Sequence, residues 1–481
     1  MVRGSVVAAT VAMAIVVGCG FVGCGSGKGT GDKGGSGGST GMGAAGAAGS
    51  GAGGVGGTSS GGAGGGSSSC LGLHLGSAAV TLYTPPAGAA WLFAGSDSQG
   101  TLLAIDVNRS VRVVSATAAG TSQVLLDDTA YQPAWAFDPA SVVALRRSDG
   151  VDVLVSDDSN VVLVRKKGPA ITVVTLAQSD NSDLWAMALS AGSSGTLAVF
   201  GRGKDRAGSP LAVTAVDVDP FVSMTNPSPS VAQQIAQMPQ ATRTFTPPSG
   251  AVAAATPTQI WLTTERINPT TDCHDTGQVA TCSGGNPSVP WLDCTWHVDA
   301  FRLTKGSDLQ AAPVATVDGR AYVHVNCGDT SPVSQLDINE NLGFGANISG
   351  DHGAAVDPAT SQLGLVLTYQ SSPTMKGLQF ALIDPSGSLP INGVVQVISD
   401  PSISISNSSS WVAARGGHVF YGAGGLPPSP MWVASATSAT MSLLDFESVH
   451  GTTQLADGIG LVGPMNNPDT SAWLQPLACT H

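Results

Sequence analysis

An all-β fold is predicted for the chain beyond residue 70, on three observations. Short apolar runs rich in Val recur there: Trp91–Ala94, Leu102–Val107, Val111–Ser115, Val142–Leu145, Val151–Val155, Val161–Val164 and Ile171–Leu176. Turn formers such as Asp149-Gly150 and Asp157-Asp158-Ser159-Asn160 separate them, so each run is a short strand with its own stop. Helical periodicity is confined to Val231–Met238, which predicts one short surface helix inside an insertion.

Composition narrows the function classes. The chain has 481 residues, of which 11% are charged, with 20 Lys+Arg against 33 Asp+Glu and a net charge of −13. A nucleic-acid partner is excluded, because phosphate binding needs a basic footprint. Hydrophobic residues make up 42%, enough for a sizeable core. A polytopic membrane protein is excluded, since only one apolar stretch, near the start, is of notable length. The 63 Gly follow no strict three-residue period, which excludes collagen.

The elements follow in chain order. Arg3 precedes an apolar run, Val6–Val17, that falls short of the ~20 residues a spanning helix needs and matches a secretory signal. Val16-Val17-Gly18-Cys19 and Phe21-Val22-Gly23-Cys24 then resemble the lipobox of bacterial lipoproteins, although Val16 and Phe21 stand where that family usually has Leu. The resemblance implies cleavage before a Cys that receives a diacylglycerol anchor, hence a membrane partner. With Gly25 or Gly20 as second mature residue, it also implies the outer membrane. The eight Cys are 19, 24, 70, 273, 282, 294, 327 and 479. Cleavage before Cys24 leaves six others, which can all pair, whereas cleavage before Cys19 leaves seven. Cys24 is therefore the expected lipidation site and Cys19, which abuts the apolar run, the alternative.

Gly25–Ser69 holds 22 Gly in 45 residues and no apolar periodicity. Such a chain is a flexible coil with an r.m.s. reach of about 37 Å. The expected organisation is a signal peptide over 1–23, a disordered tether over 24–69 and one all-β domain over 70–481, with insertions near 205–250 and 268–294.

A weak repeat runs through that domain. Trp91, Trp135 and Trp185 open strand-like runs 44 and 50 residues apart, and Trp261, Trp411 and Trp473 continue the series. Ala136–Ser141 (AFDPAS) recurs as Ala355–Thr360 (AVDPAT). A unit of this size holding about four strands fits a β-propeller blade. The Asp-Pro-Ala-[Ser/Thr] element resembles the repeats of bacterial β-propeller proteins. Blade starts near 88, 132, 183, 255, 318, 353 and 408 give seven blades. Two β-sandwich domains divided near 205–250 are the alternative. A ring must be closed, and a Cys70–Cys479 disulfide would join its two ends.

The densest polar chemistry lies between Asp272 and Asp329. Cys294-x2-His297 and His324-x2-Cys327 have the form of zinc half-sites. Both lie in strand-like runs, where an offset of three puts the partners on opposite faces. An exported protein also sits where thiols oxidise. Disulfides 273–282 and 294–327 are therefore expected, with no metal or cofactor, and Asn268–Pro290 is read as a stapled loop.

No catalytic signature is legible. Gly-x-Ser-x-Gly occurs only in the Gly-rich tract, His-Glu-x2-His is absent, and no Rossmann fingerprint stands in a strand–helix context. Asp337–Gly343 begins like a calcium loop, but Leu342 stands where the turn needs Gly, so it is read as a polar turn. Asp157, Asp158, Asp180 and Asp183 are read as turn residues, and His352 as a lone loop histidine without a partner. The expected function is a monomeric, membrane-anchored, exported module that binds a protein or glycan at the cell surface. The alternative is a hydrolase or lyase acting on an extracellular polymer through the propeller channel.

Overall fold

The computed structural model describes residues 70–480 apart from short connecting segments, the longest being 128–140 and 328–351. Among the described residues the strands assort into seven antiparallel sheets. Their first strands are Ala90–Asp97, Ser141–Arg147, Leu184–Gly192, Ala251–Ala255, His352–Val356, Ser406–Arg415 and Gly451–Leu455. Each packs against the first strand of the next sheet, and the seventh packs against the first. Seven sheets in a closed ring are the blades of a β-propeller, which excludes the two-sandwich alternative. Seven apolar clusters lie one between each pair of neighbouring blades, so every blade buries both faces.

The ring is closed by pairing distant parts of the chain. Blade seven takes three strands from Gly451–Leu455, Gly458–Gly463 and Ala472–Thr480. Its outer strand comes from residues 72–83: Gly72–Leu75 pairs with Leu477–Thr480, and Val80–Tyr83 continues along Ala472–Leu474. Cys70 is bonded to Cys479 across a sequence separation of 409, with the Cα atoms 5.1 Å apart. A bridge closing so long a loop removes much entropy from the unfolded chain, and loss of a native bridge of this kind typically costs about 2–5 kcal/mol.

Seven blades are found, but one expected start is corrected and one observed start lies outside the expected series. The start near 318 falls inside Ala315–His324, an outer strand of blade four, and the start at Gly451 carries no Trp. Blade four is enlarged by a 15-residue strand, Val289–Leu303, which displaces the spacing of everything after it. The Trp series mixes positions. Trp91, Trp185 and Trp411 sit on first strands, Trp261 on a second and Trp473 on a third, while Trp135 lies outside the described residues. Trp185 and Trp411 lie directly opposite Gly201 and Gly422. A Cβ at either glycine would come within 2.4 or 2.2 Å of the indole, so the bare backbone is what lets the ring lie flat across the pair.

Ala136–Ala140 also lies outside the described residues. The second copy, Asp357–Thr360, is the turn between the first two strands of blade five. Asp357 accepts from the Ala359 N–H at 2.9 Å and from the Gly416 N–H of blade six at 2.9 Å, so this turn also stitches two blades. The 205–250 insertion contains Leu211–Asp217, the third strand of blade three, then helices Asp219–Val222 and Val231–Ala236. The expected helix begins with a capping box in which Ser230 and Gln233 exchange side-chain and backbone bonds.

Alternating strand direction fixes two rims. The hairpins joining first to second strands lie on one rim, the near rim, with Cys70 and Cys479. The connections from second to third strands lie on the far rim.

Candidate functional site: the blade-four extension

On the far rim of blade four, the chain between the second and third strands does not turn tightly. The second strand, Ile260–Arg266, ends on Val289–Leu303 at the pair Arg266–His297. An inserted strand, Cys273–Ala280, then takes over the same edge, pairing Cys273 with Cys294 and Ala280 with Val289. Ala315–His324 covers the opposite edge from Ala300 to Trp291. The result is a three-stranded flap that extends the blade.

This corrects the cysteine pairing and the loop reading. Asn268–Pro290 is not a structureless excursion, because much of it is strand. Cys273 is bonded to Cys294, not to Cys282, since antiparallel pairing sets the two face to face with Cα atoms 4.0 Å apart. Cys282 is bonded to Cys327, not Cys294 to Cys327, and so joins the segments that follow the two strands flanking Val289–Leu303. All six cysteines of the domain are thus bridged. The zinc half-sites are dismantled as the alternation argument requires: Cys294 points into the core and His297 to the other face. Among the described residues no group of His, Cys, Asp and Glu could hold a metal.

Period-two alternation gives the flap two unlike faces. Its back carries Leu292, Cys294, Trp296 and Val298, with Val317, Ala321 and Val323 opposite, all at most 4% exposed and packed with Leu363, Leu365 and Leu367 of blade five. Trp296 lies over Gly319, where a Cβ would come within 2.4 Å of the ring. The front carries Trp291, Asp293, Thr295 and His297, opposite His324, Tyr322, Arg320 and Asp318.

The front is held in order by its own contacts. Trp291 stacks on buried Tyr322 at 5.3 Å between centroids and 27°, and meets His324 edge-on at 4.9 Å. Asp293 receives a fork from Arg320, Nε at 2.8 Å and Nη2 at 2.5 Å. Asp293 first, and then Tyr369 of blade five, raise the Arg320 pKa further. His274 stands opposite Asp293 on the inserted strand and is exposed. At the root His297 faces two carboxylates, Asp318 at 2.6 Å from Nδ1 and Asp272 at 3.5 Å from Nε2. Burial pushes the Asp272 carboxyl up, but the Thr271 hydroxyl, the Asn268 N–H, His297 and Arg266 hold it below the ordinary value.

A second constellation lies buried beneath the flap. His352 is the first residue of a strand rather than a loop residue, and it has partners, which corrects the sequence reading. Its Nε2 lies 2.6 Å from the Thr263 hydroxyl and its Nδ1 contacts Glu265, the His352 side chain being wholly buried. The line Thr–His–Glu has the composition of a nucleophile with its base. The Thr263 hydroxyl has two acceptors within reach, the Val252 carbonyl at 3.1 Å and the His352 ring nitrogen at 2.6 Å. All three residues are buried, at 0–5% exposure, so the hydroxyl is closed to a substrate in this structure. The group instead ties blade four to blade five.

Charge on the near rim does the same work. Asp152, fully buried, accepts from Arg165 at 2.7 and 2.8 Å, from Arg147 at 3.1 Å and from Thr196 at 2.9 Å. Arg165 also reaches Asp219 at 2.6 Å. Burial works against the Arg165 charge, and Asp152 and Asp219 more than restore it. Arg146 bonds Asp97 at 2.7 Å between blades one and two, and Arg415 donates to the Leu455 and Gly458 carbonyls between blades six and seven.

Other sequence candidates are placed as follows. Asp157 accepts from the Ser159 N–H at 2.9 Å and the Asn160 N–H, a turn as expected. Cys19, Cys24, Asp158, Asp183 and Asp337–Gly343 lie outside the described residues. Trp291, Asp293, Arg320 and Tyr322 were not singled out. Their signal was present, because 291–299 (WLDCTWHVD) and 316–324 (TVDGRAYVH) alternate polar or aromatic with apolar and small residues throughout.

No family model matches the chain, and no curated protein matches it. Solved structures of similar shape include a prolyl endopeptidase at 13% identity and a TM-score of 0.34, covering 81% of this chain and 46% of that enzyme, so the chain spans less than half its length. A six-bladed fucose-recognising lectin of the fungus Aleuria aurantia has 13% identity and a TM-score of 0.33, over 76% of this chain and 97% of the lectin. The polysaccharide lyase Uly1 has 10% identity and a TM-score of 0.28, over 73% of this chain and 92% of the lyase. The propeller assignment rests on strand order, not on these likenesses.

Proposed function

We propose that the protein is an exported bacterial lipoprotein, cleaved and acylated at Cys24 (or Cys19), whose propeller binds a protein or glycan partner at the outer surface of the cell. The observation that carries this reading is the blade-four extension: a sheet packed on its back, bridged by two disulfides and presenting a mixed aromatic and polar front. A rigid scaffold with one displayed surface suits recognition, because little ordering entropy is lost on binding. Three disulfides are consistent with an oxidising compartment. No helix among the described residues is long and apolar enough to cross a membrane, so the membrane partner of this reading is the lipid. Cys70, where the tether meets the domain, lies on the near rim, opposite the flap.

The test is the intact mass of protein purified from its native membrane, with and without reduction and alkylation. A diacylated chain beginning at Cys24, with six cysteines alkylated only after reduction, is the expected result. An unlipidated chain, or free thiols before reduction, would overturn the reading.

A further inference from the structure

We infer that the front of the blade-four flap, Trp291 with Asp293, Arg320, His274 and His324, is a binding platform for neutral oligosaccharide chains. The inference rests on the reading of the propeller as a binding module and names the ligand and its site.

Four features of the surface select this ligand. First, Trp291 is half-buried with Tyr322 stacked beneath it, so its indole is a fixed apolar plane. The electron-rich face of an aromatic ring attracts the weakly positive C–H hydrogens that one side of a pyranose presents. Second, the plane is bordered by polar groups already locked in place. The Arg320 fork orients the Asp293 carboxylate, whose remaining lone pairs accept from hydroxyls, and His274 stands beside it in register. Vicinal hydroxyls need acceptors and donors held in such fixed array.

Third, charge excludes the anionic alternatives. Near the front, the carboxylates Asp272, Asp293, Asp299 and Asp318 outnumber the guanidiniums Arg266 and Arg320, and both guanidiniums are paired, Arg266 with Asp299 at 2.8 Å and Arg320 with Asp293. Phosphates, sulfated sugars and uronates would meet a repulsive surface. Fourth, the front is a poor protein interface. One Trp set among ion pairs lacks the contiguous apolar centre of a standard protein contact. From Trp291 to His297 the front runs ~20 Å along the strand, enough for a chain rather than a single sugar.

The chain as a whole is 5% aromatic and 11% charged, yet three of its eight His lie on this one face, at 274, 297 and 324. The residues are not needed to hold the flap, since the back packs into the core and the bridges are elsewhere.

The experiment is isothermal titration of the full-length protein, solubilised in detergent, with oligosaccharides of β-1,4-glucan, β-1,3-glucan, α-1,4-glucan, xylan and chitin, and with heparin and alginate fragments as anionic comparisons. At least one neutral chain is expected to bind, tighter than either anionic fragment. Trp291→Ala should weaken it roughly tenfold or more, as removal of a central aromatic anchor does, while Trp291→Phe keeps most of the affinity. Unchanged thermal unfolding of both variants guards against loss of fold. Binding of no neutral chain, preference for the anionic fragments, or full affinity in folded Trp291→Ala overturns the platform. That last result, with glycan still bound, would leave the binding-module reading standing. Failure of the membrane mass measurement would remove the surface setting without touching the platform.

Discussion

Two regions concentrate charge in a protein that has little of it, and they use it in opposite ways. On the near rim, Asp152, Arg165, Arg147 and Asp219 face one another between blades two and three, with Asp152 wholly buried. On the blade-four flap, Asp293 and Arg320 pair on a surface where their side chains keep 31% and 43% exposure. The rim network spends every lone pair inward and locks neighbouring blades. The flap pair remains open to solvent and locks nothing that the apolar back does not already hold. Charge is structural where removing one partner strands another without water, and available for recognition where it does not.

The largest effect should come from the rim. Asp152→Ala strands two guanidiniums and the Thr196 hydroxyl, and is expected to destabilise by about 3–5 kcal/mol in denaturant titration. Next is the closure. Replacing both Cys70 and Cys479 by Ala should cost about 2–5 kcal/mol. Hydrogen exchange should then rise first in 72–83 and 472–480, while the other blades keep their protection. His352→Ala, which leaves Glu265 buried without its partner, should cost about 2–3 kcal/mol and leave the flap bridges intact.

A smaller effect concerns pH at the flap root. Because Asp272 is held below its ordinary pKa in the folded state, its stabilising contribution is present above pH ~4 and is lost as pH falls further. Limited proteolysis of the 268–280 segment should accelerate below that pH, and Asp272→Asn should be cut equally at both. If the wild-type segment is equally resistant at pH 7 and pH 3, the anchoring role of Asp272 is wrong. The smallest effect on stability is expected at the front itself, where Asp293→Ala should cost no more than about 1 kcal/mol.

The fold was legible because it depends on local signals. Val-rich runs and their turns specify strands one at a time, and a unit of four strands specifies a blade. The placement of blade four was not legible, because the spacing argument assumes units of equal size and Val289–Leu303 breaks it. The Cys70–Cys479 bridge could be argued from topology, since a ring needs one closure. The other two could not, because their connectivity follows from the strand Cys273–Ala280, whose HDTGQVA residues carry no strand pattern. That strand forms because Val289–Leu303 offers a free edge, which is tertiary context. The partners of His352 lie 87 and 89 residues upstream, on a blade whose boundaries were misplaced. The flap front is the opposite case: its alternation is plain in the sequence, but period-two alternation marks a two-faced strand without saying which face is displayed.

The most direct measurement compares the two regions within one experiment: equilibrium unfolding of Asp152→Ala and Asp293→Ala side by side with the unaltered protein. A loss of several kcal/mol for the rim variant and at most about 1 kcal/mol for the flap variant is the predicted result. Equal losses would mean that the flap charges hold the fold as the rim charges do, and the distinction between structural and displayed charge would fail.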